Sequence, residues 1–180
     1  ITKLKKLEGV GEYHPAEDHR YEIHVVVNPE EKTLKFIDNG IGMTEDEVAE
    51  NIGTIAKSGT RAFLKMLEEK GESGADVPEL IGQFGVGFYS AFMAAGTVEL
   101  TTRRGGEPAV RWSSSGEGSY ELSPAEKETP GTEIVLHLKD GEDEFLDADQ
   151  LRRIVTKYSD HIALPILLIE DGVEHTINAA

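Results

Sequence analysis

Thr33-Leu34-Lys35-Phe36-Ile37-Asp38-Asn39-Gly40-Ile41-Gly42-Met43-Thr44-Glu45-Asp46-Glu47 is the stretch from which the fold is read. Thr33 to Ile37 alternates in polarity and is rich in β-branched and aromatic residues, the pattern of a half-buried strand. Thr44 to Glu47 has the Thr-x-x-Glu form of a capping box, in which hydroxyl and carboxylate each satisfy a backbone N–H left open at a helix start. A helix is predicted from Glu45 to about Asn51. Asp38 to Met43 is then a loop that carries the chain out of a sheet and into a helix. Just upstream, Tyr21 to Asn28 alternates in the same way and Asn28-Pro29-Glu30-Glu31 makes a turn, so the two strands form a hairpin.

Working outward, Ile1, Leu4 and Leu7 recur at helical spacing with Lys3, Lys5 and Lys6 between them, and Gly9 and Gly11 close that helix. Phe63, Leu64 and Leu67 form another apolar helical face, followed by a polar loop from Gly71 to Pro78. The Ala-rich run Phe88 to Ala95 is predicted as a buried helix. Beyond Gly96 come short strands, Val98 to Thr102, Ala109 to Ser113, Ser119 to Leu122 and Thr132 to Leu138, which read as an antiparallel meander. Leu151, Ile154, Val155, Tyr158 and Ile162 share a helical face, with Asp147 and Asp149 at the favourable end of its dipole. A last strand, Ile166 to Glu170, turns at Asp171-Gly172. This order favours an α+β fold: a two-layer α/β sandwich, a mostly antiparallel sheet with helices on one face. A chain of 180 residues fits one domain, 1–180.

The formal charge of −16, from 34 acidic against 18 basic side chains, repels nucleic acid and anionic membranes as main partners. A small anion such as a nucleotide is still admitted, because backbone N–H groups at a helix N-terminus bind phosphate locally. There is no cysteine, which removes disulfides, thiolate zinc sites and Cys nucleophiles and agrees with a cytoplasmic location. The longest apolar stretch, around Ile162 to Ile169, is broken by Pro165 and is far below the roughly 18 residues a membrane span needs. The chain begins at Ile1 rather than a methionine, so a natural start upstream is expected. The histidines, His14, His19, His24, His137, His161 and His175, show no metal-binding spacing. The acidic run Asp140 to Asp149 lacks the ligand pattern of a calcium loop, and Trp112, in a strand, is expected in the core.

Two segments carry candidate chemistry. In Asp38 to Met43 an ionised Asp beside two glycines and a methionine offers a carboxylate for an exocyclic amine, a close backbone approach at Gly42 and a packing surface at Met43. Asn39-Gly40 is equally a strong turn dipeptide, so a plain turn stays open here. In Gly82-Gln83-Phe84-Gly85-Val86-Gly87 three glycines ahead of a helix offer N–H groups to phosphates. The loop is neither a Walker A sequence nor a Gly-x-Gly-x-x-Gly fingerprint, and a flexible hinge without ligand explains it as well. Lys57, in Ile55 to Thr60, is a cation for phosphate or a solvated surface residue. Gly131-Thr132 places a hydroxyl at a strand start.

Asp38 to Met43, the run Ile52 to Thr60 and the run Ile81 to Phe92 together closely resemble the ATP-binding domain of the heat-shock protein 90 family. The string Lys157-Tyr158-Ser159-Asp160-His161-Ile162-Ala163-Leu164-Pro165 looks like that family's bacterial branch. Gyrase, the MutL repair proteins and sensor histidine kinases share the Bergerat ATP-binding fold and an Asp-x-Gly-x-Gly element like Asp38 to Gly42, but not the other two strings. A nucleotide-independent protein-interaction fragment is the alternative from a different class.

The resemblance implies that ATP or ADP is the ligand, with Asp38 holding the adenine amine, Thr132 and Gly42 supporting it through water, and Met43 against the ring. Asn51, Lys57 and Ser58 would line the ribose and phosphate side. The backbone of Gln83, Phe84, Gly85, Val86, Gly87 and Phe88 would wrap the phosphates, with Gly82, Gly85 and Gly87 as hinges of a lid over roughly 51–88. Lid closure would couple nucleotide to chaperone action on client proteins and co-chaperones. The family is a homodimer through a domain further along. Its Glu-x-x-x-Asn helix motif, which supplies the general base and a Mg2+ ligand, is expected just upstream of Ile1. This chain is therefore expected to contribute no catalytic or metal-ligating residue and to hydrolyse ATP negligibly by itself.

Overall fold

The computed structural model describes residues 1–15, 19–53, 91–159 and 162–178. Helix α1 (Thr2–Gly9) is followed by strands β1 (Ile23–Asn28) and β2 (Thr33–Asp38), a short helix α2 (Glu45–Val48) and a π-helical turn at Ala49–Gly53. Strands β3 (Ala95–Arg103), β4 (Ala109–Ser114), β5 (Glu121–Ala125) and β6 (Gly131–Leu138) come next. Helix α3 (Ala148–Ser159) and strands β7 (Ile166–Glu170) and β8 (Val173–Thr176) complete the described chain. All eight strands lie in one sheet, in the order β5-β4-β3-β6-β2-β1-β7-β8. The pairing of β1 with β7 is parallel and the other six are antiparallel, which is the mostly antiparallel sheet expected.

Alternation along the strands decides the layers, because residues paired across a ladder point to the same side of a sheet. Val25 faces Leu168 on one side and Phe36 on the other, Phe36 faces Ile134, Ile134 faces Leu100 and Leu100 faces Trp112. This apolar face carries the core, where Leu34, Val98, Leu100, Trp112, Leu136 and Leu168 are buried together with Val48, Ile52 and Phe92 from outside the sheet. Leu151 of α3 joins the same cluster and Val155 packs against it. The other face is charged: Lys35 pairs with Glu133 at 2.9 Å, and Arg111 and His137 both approach Glu99. One oily and one wet face is the signature of two layers. Fully burying a side chain such as Leu100 is worth about 1.5–3 kcal/mol, so this stripe contributes strongly to the driving force.

Five details depart from the sequence expectations. Only β3, β4 and β5 form a meander; β6 crosses back to lie between β3 and β2, because its Ile134 and Leu136 need apolar partners on both sides and Leu100 and Phe36, Val98 and Leu34 provide them. The predicted helix Phe88 to Ala95 is described only from Ala91, where residues 91–93 make a 3-10 turn and β3 already begins at Ala95. Helix α2 stops at Val48, and the wider turn that follows buries Ile52 in the core and Gly53 against the Tyr120 ring. Helix α3 ends at Ser159, so Ile162 lies beyond it. Strand β8 had no alternation to announce it, since all four of its residues are exposed. The helix expected around Phe63 to Leu67 and the loop from Gly71 to Pro78 lie outside the described residues.

Candidate functional site

The sheet register brings three polar side chains together on the apolar face. Asp38, the last residue of β2, pairs with Thr132 of β6, and Thr132 pairs with Thr102 of β3. Strand alternation dictates which side they occupy, since Phe36, Ile134 and Leu100 are two residues away on the respective strands and point into the core. Thr102 is fully buried and Thr132 nearly so, while Asp38 at the edge of the core is half-buried. Among the described residues the Asp38 carboxylate takes one hydrogen bond, from the Gly40 backbone N–H at 2.8 Å. An ionised carboxylate has about four lone-pair positions, so Asp38 retains acceptor capacity for a ligand amine.

The Thr102 hydroxyl ties three segments to one point. It accepts from the Met43 N–H at 3.0 Å, lies 3.1 Å from the Gly131 carbonyl and 3.0 Å from the Thr132 hydroxyl. Two glycines permit this crowding. Gly42 has φ +72°, and a Cβ there would lie 1.9 Å from the Arg103 carbonyl oxygen. Gly131 has φ +133°, and a Cβ there would lie 2.3 Å from the Asp38 carbonyl oxygen. Any other residue at either position is both strained and in collision.

The loop after Asp38 is held at both ends. At its start, Asn39 accepts from the Glu22 N–H at 3.1 Å through its side-chain oxygen and donates to the Arg20 carbonyl through its side-chain nitrogen. At its end the capping box is formed: the Glu47 N–H donates to the Thr44 hydroxyl and the Thr44 N–H donates to the Glu47 carboxylate, each at 3.3 Å. Arg104, just past β3, donates to the same Glu47 oxygen at 2.5 Å. Burial opposes ionisation of Glu47, but the Thr44 N–H, the Arg104 guanidinium and the Thr44 hydroxyl outweigh it and hold the carboxyl below its ordinary 4.5.

The structure thus brings Asp38, Gly42, Met43 and Thr132 together, with Met43 packed against the core. Asn51 is exposed on the π-helical turn after α2. Lys57, Ser58, Gly82, Gln83, Phe84, Gly85, Val86, Gly87 and Phe88, and the expected lid beyond Gly53, lie outside the described residues. Sequence reasoning passed over Thr102 and Arg104. Thr102 had a signal, as a hydroxyl that continues the apolar alternation Val98, Leu100 along β3 must find buried partners. A cavity of about 640 Å³ lies on the α1 side of the loop, lined by Leu4, Leu7, Tyr13, Ile41 and Pro130 among others, and none of Asp38, Gly42, Met43, Asn51 or Thr132 borders it. Among the described residues no group of three or more His, Cys, Asp or Glu is placed to hold a metal ion.

Comparison with known proteins adds a separate line of observation. Residues 15–127 match the family model described as histidine kinase-, DNA gyrase B-, and HSP90-like ATPase. The chain is 56% identical over 154 residues to a chaperone protein HtpG of Nitrosomonas europaea, covering 84% of this chain and 24% of that protein. It is 54% identical over 154 residues to the HtpG of Coxiella burnetii, with the same coverage, and 53% identical over 152 residues to that of Yersinia pestis, covering 83% and 24%. The chain thus spans about a quarter of the length of these relatives.

Proposed function

Because the chain belongs to the family of histidine kinase-, DNA gyrase B- and HSP90-like ATPases, we propose that it is the ATP- and ADP-binding domain of a chaperone, with Asp38 as the group that reads the base. The observation that carries this reading is the half-buried Asp38 carboxylate, engaged among the described residues by one backbone N–H and set on a rung with Thr132 at the margin of the core. A carboxylate there meets a donor such as the adenine amine, Thr132 and Gly42 support it through water, and the thioether of Met43 packs on the ring. Asn51, Lys57 and Ser58 face the ribose and phosphates, and the main chain of Gln83 to Phe88 wraps the phosphates with Gly82, Gly85 and Gly87 as hinges. The lid over roughly 51–88 closes on nucleotide and couples its state to client proteins in the cytoplasm, in a homodimer assembled through other parts of the full-length protein.

Magnesium, implied by the family, finds no protein cage among the described residues. Such an ion would be held largely by nucleotide phosphates and water, and no residue of this chain is assigned to it. The 180-residue polypeptide by itself binds nucleotide.

Titration calorimetry with ADP, with and without Mg2+, tests the reading. Saturable heat that disappears in Asp38→Ala is expected. A folded sample that gives no heat would sink it and leave a protein-interaction role in its place.

A further inference from the structure

We propose that Thr102 is a positioning and specificity-determining residue of this site: its buried hydroxyl fixes the backbone at Met43 and forces Thr132 to face the ligand as a pure hydrogen-bond acceptor. The second half rests on the nucleotide reading above; the first does not.

The argument is a count of protons. A threonine hydroxyl has one proton to donate and two lone pairs to accept with. At Thr102 one lone pair is taken by the Met43 N–H. Among the described residues two oxygens remain within hydrogen-bond distance, the Gly131 carbonyl and the Thr132 hydroxyl. The carbonyl accepts only, so the contact with Gly131 requires the Thr102 proton. The second lone pair of Thr102 is then left for Thr132, which must donate its own proton inward. With the proton directed the other way, the Gly131 contact would hold two acceptors and no proton, an expensive arrangement for a group with no access to water.

Thr132 is thereby left with lone pairs alone on its outward side. Asp38, beside it on the rung, likewise offers only lone pairs when ionised. Two acceptors side by side favour a donor, an amino group or a water that passes its proton toward the protein, and oppose a carbonyl oxygen in the same place. The chemical class selected is a 6-amino purine over a 6-oxo purine. Thr102 touches neither base nor phosphate in this arrangement; it acts through Met43 and Thr132.

Thr102→Val keeps the shape and removes the hydroxyl, whereas Thr102→Ser keeps the hydroxyl. Amide hydrogen exchange, followed by NMR without nucleotide, reports the first role: the Met43 amide is expected to exchange about tenfold or more faster in Thr102→Val and at the original rate in Thr102→Ser. The ratio of ADP to inosine diphosphate affinity reports the second. It is expected to fall by about tenfold in Thr102→Val, where Thr132 is free to donate to the 6-oxo group, and to recover in Thr102→Ser. A merely structural role would weaken both nucleotides together and leave the ratio unchanged, which would overturn the specificity claim. Unchanged Met43 exchange in Thr102→Val would overturn the positioning claim. Should Thr102→Val not fold, the unmutated protein still decides, since a Met43 amide that exchanges as fast as the exposed Glu45 amide is incompatible with the Thr102 bond. Absence of heat with either nucleotide in the unmutated protein removes the nucleotide reading and its selectivity, while the exchange rates continue to judge the Met43 contact.

Discussion

Asn39-Gly40 and Asp171-Gly172 are the same kind of dipeptide, each placed directly after a strand, and the fold uses them differently. Asp171 and Gly172 both take positive φ, +52° and +76°, and join β7 to β8 with Glu170 facing Val173. That is the two-residue hairpin turn such a pair favours. A Cβ on Gly172 would meet nothing within 4 Å. Neither Asn39 nor Gly40 adopts the left-handed region. Asn39 spends its side chain on the backbone of Arg20 and Glu22, Gly40 is buried and donates to Asp38, and the positive φ is deferred to Gly42, pressed against Arg103. The difference teaches that a turn dipeptide is conformationally permissive but not instructive. At the sheet edge the dipeptide's own preference decides, whereas at the centre the bonds of the Asn39 side chain to the backbone ahead of β1, and of the Asp38 carboxylate to Gly40, override it.

Four substitutions would break or sharpen this contrast. Gly42→Ala should have the largest effect, because the left-handed backbone costs about 1–2 kcal/mol and relieving the collision with Arg103 adds about 1–3 kcal/mol. Urea unfolding should show the sum, and ADP titration should show lost binding even where the protein still folds. Asn39→Ala leaves the Glu22 N–H and the Arg20 carbonyl without their partner, and should cost about 1–3 kcal/mol by the same unfolding measurement. Gly172→Ala has the strained backbone without the collision; a loss of about 1–2 kcal/mol is expected, with ADP affinity unchanged. A loss as large as that of Gly42→Ala would abolish the distinction between the two regions.

The smallest effect is a matter of slope. Glu47 has its folded pKa lowered beneath 4.5, so its ion pair and cap contribute fully above the ordinary carboxylate range and are lost as pH falls through the lowered value. Stability measured from pH 6 downward, about 1.5 units above that range, should decline less steeply in Glu47→Gln than in the unmutated protein. Gly172→Ala should keep the original slope. Equal slopes in all three proteins would show that Glu47 contributes nothing to the acid limb.

Much of this molecule was legible in local pattern. The hairpin of β1 and β2, the capping box at Thr44, the strand character of β3 to β7 and the apolar face of α3 follow from periodicities that act over a few residues. The extent of α2 was not legible, because Ile52 and Gly53 are drawn in by the core and by Tyr120. Nor was β8, whose exposed residues need no alternation to be held by Leu167 to Glu170 across the hairpin. Within the site, Asp38, Gly42, Met43 and Thr132 were marked by residue type and by resemblance. Arg104 was hidden, and Thr102 was marked only as a hydroxyl in an apolar alternation, for their partners stand 57 and 59 positions away, at Glu47 and Met43.

By itself, then, the order of residues determined roughly where most of the strands lie, that a helix starts at Glu45, which face of the central strands is apolar, and which carboxylate stands at the sheet's exit, because these depend on backbone periodicity and on the solubility of individual side chains. Only the tertiary structure decided that β6 lies between β2 and β3, and with it that Asp38, Thr132 and Thr102 share one rung. That placement is set by ladder pairing between strands far apart in the chain, where burying Ile134 and Leu136 from both sides outweighs the shorter connection a simple meander would have made.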